Sequence, residues 1–200
     1  WGTSQFLFGE DGFQPRRDVL LPGLDVVPAT AESALIEGRL LERWGSGAHR
    51  LRRAIDAVVA EYDFVVTDCG PTLGALAINA VVACPEVLVP IELAPAAAMG
   101  ALTLAGFLKR LALDEEPSIR ILGVLGTFAE SRERTPGEVL ASLGQLFGPA
   151  LFETVIHASA AVRDAAGRGT PVVLDAPTSR GAEEYLSLTM EVICRGSVTE

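Results

Sequence analysis

Along the chain, stretches of continuous apolar character alternate with stretches where apolar residues recur every three or four positions. The most continuous β-branched and aromatic run is Tyr62-Asp63-Phe64-Val65-Val66-Thr67-Asp68, and Val87 to Ile91, Ile119 to Leu125 and Leu151 to Ile156 share its character. Such runs suit parallel strands covered on both faces. Between them, helical spacing predicts helices from Glu32 to Trp44, His49 to Glu61, Leu73 to Ala83, Ala96 to Leu113 and Pro136 to Phe147. A polar loop and short helix follow His157. Short strands at Leu24 to Pro28 and Val172 to Leu174, and a last helix from Ser179 to about Cys194, complete the pattern; residues 1–23 read as a loop. Strands alternating with helices require crossover connections, and hence an α/β fold: one mostly parallel sheet with helices on both faces. The expectation is a single domain over residues 1–200, with Val65, Val66, Leu88, Val89, Leu122 and Val124 buried.

Composition supports one filled core: 200 residues, 49% of them apolar. No apolar run reaches the roughly 18 residues of a membrane span. The longest, Leu73 to Val89, is broken by Asn79 and Pro85-Glu86. Trp1 to Gln5 have neither the basic nor the apolar region of a secretory signal. Cys69, Cys84 and Cys194 are widely spaced without a CxxC pair, which argues against a disulfide framework and for a reducing cytoplasm. Sixteen basic against 26 acidic side chains give a net charge of −10, unfavourable for non-specific nucleic-acid binding by the whole surface. A local arginine patch is not excluded by this.

In parallel α/β sheets ligands bind beyond the carboxyl ends of the strands, and three segments there carry useful chemistry. Asp68-Cys69-Gly70-Pro71-Thr72-Leu73-Gly74 puts an acid at the end of an apolar strand, the place from which nucleotide-hydrolysing folds hold Mg²⁺ through water. The competing reading is an Asp68 that caps the helix starting near Thr72. Gly126 to Arg134 is a polar loop containing Thr127, Phe128, Arg132 and Arg134, and Thr135-Pro136 begins a helix after it. His157-Ala158-Ser159-Ala160-Ala161-Val162-Arg163-Asp164 follows a strand, and His157 there either touches a ligand or is a satisfied, partly buried histidine. No GxGxxG or GxxxxGK[ST] occurs, and Lys109, the single lysine, sits mid-helix where it cannot serve a phosphate loop.

Taken together these segments resemble the ParA/MinD-like partition ATPases. Tyr62 to Gly74 is similar to that family's metal-aspartate and switch segment YDYIIIDCPPSLG, and Asn79-Ala80 matches its helix. Pro90-Ile91 through Gly100 resembles the next strand and loop. Ile121-Leu122-Gly123-Val124-Leu125 with Thr127 and Arg132 resembles GVLLTMYDxRT. Thr154-Val155-Ile156 with Val162-Arg163 resembles TVIPRNVRL, Gly169-Thr170-Pro171-Val172 resembles GKPV, and Ser179 to Tyr185 nearly repeats SRGAEAY. The likeness covers about residues 24–194. It implies a P-loop NTPase-like fold, ATP and Mg²⁺ as cofactors, Asp68 as the catalytic metal aspartate, and Gly70 and Pro71 in the switch. Thr127, Phe128, His157 and Ser159 would lie around the base, with Arg132 and Arg163 on DNA. It further implies ATP-dependent homodimerisation, non-specific DNA binding, a ParB-like partner, a nucleoid-associated cytoplasmic location and no membrane.

The departures matter equally. Gly70 replaces a proline, His157-Ala158-Ser159 replaces Pro-Arg-Asn, and the family's KGGVGKTT loop and its strand have no counterpart. The expectation is therefore a sequence incomplete at its amino end, unable to hydrolyse ATP alone, with apolar strand edges left unpaired. An alternative is a scaffold or regulatory domain that lost the loop. A reductase or ATP-dependent amide ligase of the same superfamily is a third reading, though Cys69 and Cys84 do not look like cluster ligands.

Overall fold

The structure, a computed structural model, describes residues 15–29, 37, 40, 48–70, 72–95, 97–129 and 135–196. The chain divides into two compact units, Trp1–Pro85 with Leu111–Ile119, and Glu86–Arg110 with Arg120–Glu200.

In the first unit, Arg16 and Val26 exchange backbone hydrogen bonds of 2.9 Å and close a loop. Asp18 Oδ1 accepts from the Gly23 N–H at 2.8 Å, and Asp25 Oδ1 from the Asp18 N–H at 2.9 Å. Asp25 Oδ2 also accepts from the Tyr62 hydroxyl at 2.6 Å and from Arg17 Nη1 at 2.9 Å. The Tyr62 hydroxyl, the Asp18 amide and Arg17 hold the Asp25 carboxyl below the usual carboxylate range, against the upward push of burial. This corrects the expected strand from Leu24 to Pro28: the Leu24 N–H turns back to Leu21 O at 3.2 Å, and only Val26 forms a bridge. Helix α1 (Arg50–Asp56) is shorter than expected and is followed by a 3-10 turn at Val59–Glu61. Helix α2 (Ala75–Ala83) packs beside it, and the buried Asn79 joins the two, donating to Ala75 O at 3.1 Å and accepting from the Leu51 N–H at 3.4 Å. Most of the expected helix from Glu32 to Trp44 falls outside the described residues.

The largest correction also lies in this unit. Tyr62 to Asp68 forms no strand, and Phe64, Val65 and Val66 are 63%, 37% and 90% exposed. A β-prone run becomes a strand only when neighbouring backbones take up its N–H and C=O groups. Among the described residues no segment pairs with this one.

From Glu86 onward the chain alternates through β1 (Glu86–Glu92), α3 (Ala97–Asp114, its last turn from Leu111 belonging to the first unit), β2 (Arg120–Ala129), α4 (Thr135–Phe147), β3 (Leu151–His157), α5 (Ala160–Gly167), α6 (Val172–Asp175) and α7 (Arg180–Gly196). The strands pair in the order β1-β2-β3, all parallel. Their side chains alternate between two cores, as a pleat covered on both faces requires. Val89, Ile91 and Val124 join Ala101 of α3 and Val139 and Leu143 of α4 on one face. Leu125, Phe152 and Ile156 meet Leu188 and Val192 of α7 on the other, and half-buried Leu88 packs there. Gly123 is required by this packing: a Cβ there would lie 2.1 Å from the Phe152 ring.

The expected strand Val172 to Leu174 is instead the helical turn α6. Pro171 caps it, its carbonyl accepting from the Leu174 and Asp175 N–H groups at 3.0 Å. Arg168 pairs with Asp175, and only Val172 is buried, against Ala165 and Ala182. Tertiary packing has overridden β propensity over three residues.

Helix α7 does more than cover a face. Glu191 accepts from the Glu153 N–H at 3.0 Å, the Thr154 N–H at 2.8 Å and the Thr154 hydroxyl. Arg195 donates to the carbonyls of Leu122, Ala150 and Leu151 at 3.2, 2.9 and 2.9 Å. Burial pushes the Glu191 carboxyl up, but the Thr154 hydroxyl, the two backbone amides and Arg195 together hold it below its ordinary value. Because the folded value is depressed, this stabilisation is complete above the unfolded-state value and is lost as pH falls through the folded one. Replacing Glu191 by Gln is expected to cost about 1–3 kcal/mol at neutral pH and to flatten the acid limb of the stability profile. Urea denaturation across pH 3 to 7 checks this; an unchanged midpoint and acid limb would contradict it.

Candidate functional site

Asp68 is exposed and makes no hydrogen bond or ion pair among the described residues. It does not cap α2. That helix begins after Gly74, without a capping side chain from its own start, and Glu37 Oε1 accepts from the Ala75 N–H at 3.0 Å. Among the described residues, then, the Asp68 carboxylate neither caps a helix nor joins an ion pair. Thr67 just before it is fixed by Cys84, whose Sγ lies 3.2 Å from the Thr67 hydroxyl. Gly70 is exposed, and Pro71 lies outside the described residues.

At the carboxyl rim of the sheet, Thr127 and Phe128 lie on β2 rather than in a loop. The expected loop begins later because the ladder continues: Thr127 pairs with Ile156 and Ala129 with His157, and the Leu93 N–H donates to Thr127 O at 3.0 Å. The register slips between Thr127 and Ala129, where Phe128 adopts a left-handed φ of 53° and is 66% exposed. A bulky residue in that conformation is strained, and such strain concentrates at functional positions. The bulge leaves an aromatic ring in solvent at the rim.

His157 ends β3. Its backbone N–H donates to Glu184 Oε2 at 2.9 Å and its Nδ1 lies 2.8 Å from Glu184 Oε1. Arg180 Nε donates to that same Oε1 at 2.7 Å. Ser159 is the N-cap of α5, its Oγ accepting from the Val162 N–H at 3.4 Å. Arg163 projects from the first turn of α5 with its side chain 79% exposed, 3.7 Å from Asp164. Arg132 and Arg134 lie outside the described residues.

The Ser179-Arg180-Gly181-Ala182-Glu183-Glu184 stretch explains how this rim is held. Ser179 caps α7, accepting from the Ala182 N–H at 3.3 Å. Gly181 lets α7 approach α5, since a Cβ there would stand 2.6 Å from Val162 and 3.1 Å from Ser159 Oγ. Ala182 is fully buried. The helix then delivers Glu184 to His157. Sequence reasoning missed Glu184 and Glu191, which stand two helical turns apart on a glutamate-rich helix with nothing in the sequence to mark them.

A nucleoside triphosphate places three demands on a protein: groups for the metal, the base and the phosphates. The third is unmet, because no phosphate-cradling motif occurs in the 200 residues and Lys109 is exposed on α3. No hydrolytic step follows from the residues present. No group of three or more metal-ligating side chains comes together among the described residues, and no helix among them is long and apolar enough to cross a membrane.

The comparisons place this arrangement. The fold matches cobyrinic acid a,c-diamide synthase from Mycobacterium smegmatis with a TM-score of 0.81 over 100% of this chain and 74% of that one, at 22% identity, a likeness of fold. That synthase has also been crystallised with ADP and magnesium. The chain thus has a parallel α/β fold of the kind found in P-loop NTPases. A family described as an AAA domain matches residues 16–121. The sporulation initiation inhibitor protein Soj of Bacillus subtilis is 35% identical over 173 residues, 86% of this chain and 68% of Soj. The chromosome partitioning protein ParA of Caulobacter vibrioides is 33% identical over 177 residues, 88% of this chain and 66% of that protein. The chain belongs to the ParA/MinD-like partition ATPase family, and it spans about two thirds of the length of these relatives.

Gly181→Ala is expected to destabilise the protein by about 1–3 kcal/mol through overpacking, because α7 must retreat from α5. Thermal unfolding reads the loss; a variant as stable as the parent would show that this approach is not tight.

Proposed function

We propose that the protein acts in chromosome or plasmid partition as an ATP-dependent homodimer that binds DNA without sequence preference and answers to a ParB-like partner at the nucleoid. The observation that carries this is Asp68, an exposed carboxylate with no hydrogen-bond or ion-pair partner among the described residues, ending an apolar segment and followed by Gly70 and Pro71 in the sequence. In this reading Asp68 holds Mg²⁺ through water, and the switch at residues 70–74 responds to the terminal phosphate. Thr127, Phe128, His157 and Ser159 face the base. Residues 1–200 are read as one ParA-like domain. This reading needs a phosphate loop, and the 200 residues contain no motif for one.

DNA binding must overcome the net charge of −10. Arg163 is exposed enough to meet a phosphate, and Arg132 is read as its companion. Each phosphate contact adds about one unit to the salt slope of binding, so a single subunit holds DNA weakly and a dimer doubles the contacts.

The 200-residue chain alone is expected to show no measurable ATP turnover. A longer protein that supplies a phosphate loop is expected to turn ATP over, and Asp68→Ala to abolish it. Steady turnover by the 200-residue chain that Asp68→Ala removes would contradict this reading. In that longer protein, DNA binding is expected to require ATP and weaken steeply with salt. Arg132→Ala with Arg163→Ala should reduce it while ATP binding persists. DNA affinity unchanged by the double substitution at moderate salt would favour the scaffold reading.

A further inference from the structure

His157 spends two groups on one carboxylate. The backbone N–H and ring Nδ1 meet the two oxygens of Glu184 at 2.9 and 2.8 Å, and Arg180 adds a third donor at 2.7 Å. A carboxylate only accepts, so the hydrogen in the 2.8 Å contact sits on Nδ1. In the neutral ring, Nε2 is then a bare lone pair. Among the described residues Nε2 has no hydrogen-bond partner, and the side chain is 24% exposed. Across the ladder His157 pairs with Ala129, the residue after the strained and exposed Phe128. Adjacent register positions of one rim therefore present an aromatic ring and a fixed acceptor nitrogen.

We propose that His157 selects the base of the bound nucleotide through the hydrogen-bond sense of Nε2, accepting from the exocyclic amine of a 6-aminopurine and rejecting a 6-oxopurine. This rests on the reading that Thr127, Phe128, His157 and Ser159 face the base. A 6-oxo oxygen is itself an acceptor, so against Nε2 it leaves two lone pairs facing each other with neither satisfied. A site that fixes one hydrogen-bond sense discriminates against an analogue of the same size and inverted polarity. Glu184 is the positioning residue: it sets the tautomer and the plane of the ring, as a carboxylate behind a ligating imidazole does. A glutamine at 184 both donates and accepts, and so releases that choice.

Adenosine and inosine, which carry no phosphate, probe the base-facing wall without a phosphate loop. The readout is the imidazole ¹⁵N spectrum of the protein at alkaline pH, where imidazole is neutral, with His49→Gln assigning the two histidines. The free protein is expected to show the Nδ1–H pattern for His157. Adenosine should shift Nε2 with an affinity about five- to tenfold tighter than inosine, the ratio that one ordinary hydrogen bond supplies. Glu184→Gln should remove both the Nδ1–H pattern and the preference, leaving His49 unchanged. The tautomer and the two-nucleoside comparison are read on the unsubstituted protein and do not depend on that variant folding. An Nε2–H pattern, or equal responses to the two nucleosides, overturns the proposal and leaves the base-facing wall standing. No response to either nucleoside overturns both.

Discussion

A strand at the end of a sheet leaves backbone N–H and C=O groups facing outward, and they must be met by something other than a further strand. On β3 they are met by one helix. Glu191 and Glu184 of α7 take the N–H groups of Glu153, Thr154 and His157, and Arg195 takes the Leu151 carbonyl together with those of Ala150, just before β3, and Leu122 on β2. Arg195 also lies over the Phe152 ring, 4.0 Å from its centroid. The helix that supplies one apolar core therefore also closes the sheet's edge. The same constraint explains Gly181, since α7 can meet β3 in register only if it can also lie close to α5. It explains His157 too, whose orientation is a by-product of that closure. Architecture and candidate chemistry share one carboxylate, Glu184.

Among the described residues the β1 edge has no such device. In the first unit, Tyr62 to Asp68 has the composition of a central strand but no strand partner among the described residues. Exposed Phe64 and Val66 are the kind of apolar surface that soluble proteins rarely leave uncovered. Asp68 sits at the end of this segment, so its placement depends on whatever pairs there.

The sequence was legible where burial alone decides structure. The runs at Val87 to Ile91, Ile119 to Leu125 and Leu151 to Ile156 became parallel strands with two covered faces, because continuous apolar character reports exactly two-sided burial in the residues themselves. It misled at Tyr62 to Asp68, where an identical pattern lacks its neighbours, since periodicity records what a segment needs and not what is present. It misled again at Val172 to Leu174, where three β-prone residues after Pro171 were too few to outweigh the contact with Ala165 and Ala182. Asp68, His157 and Arg163 stood out through their positions after apolar runs. Glu184 and Glu191 did not, because a helix surface rich in glutamate gives no hint that two of them face backbone amides.

Amide hydrogen exchange tests the central claim, that side chains of α7 serve as the missing strand beside β3. The account predicts that the amides of Glu153, Thr154 and His157 are protected to the level of interior β2 amides such as Val124, while those of Phe64 to Thr67 exchange as freely as exposed backbone. Rapid exchange at Glu153, Thr154 and His157 would contradict it, because the outer edge of β3 would then be open to water.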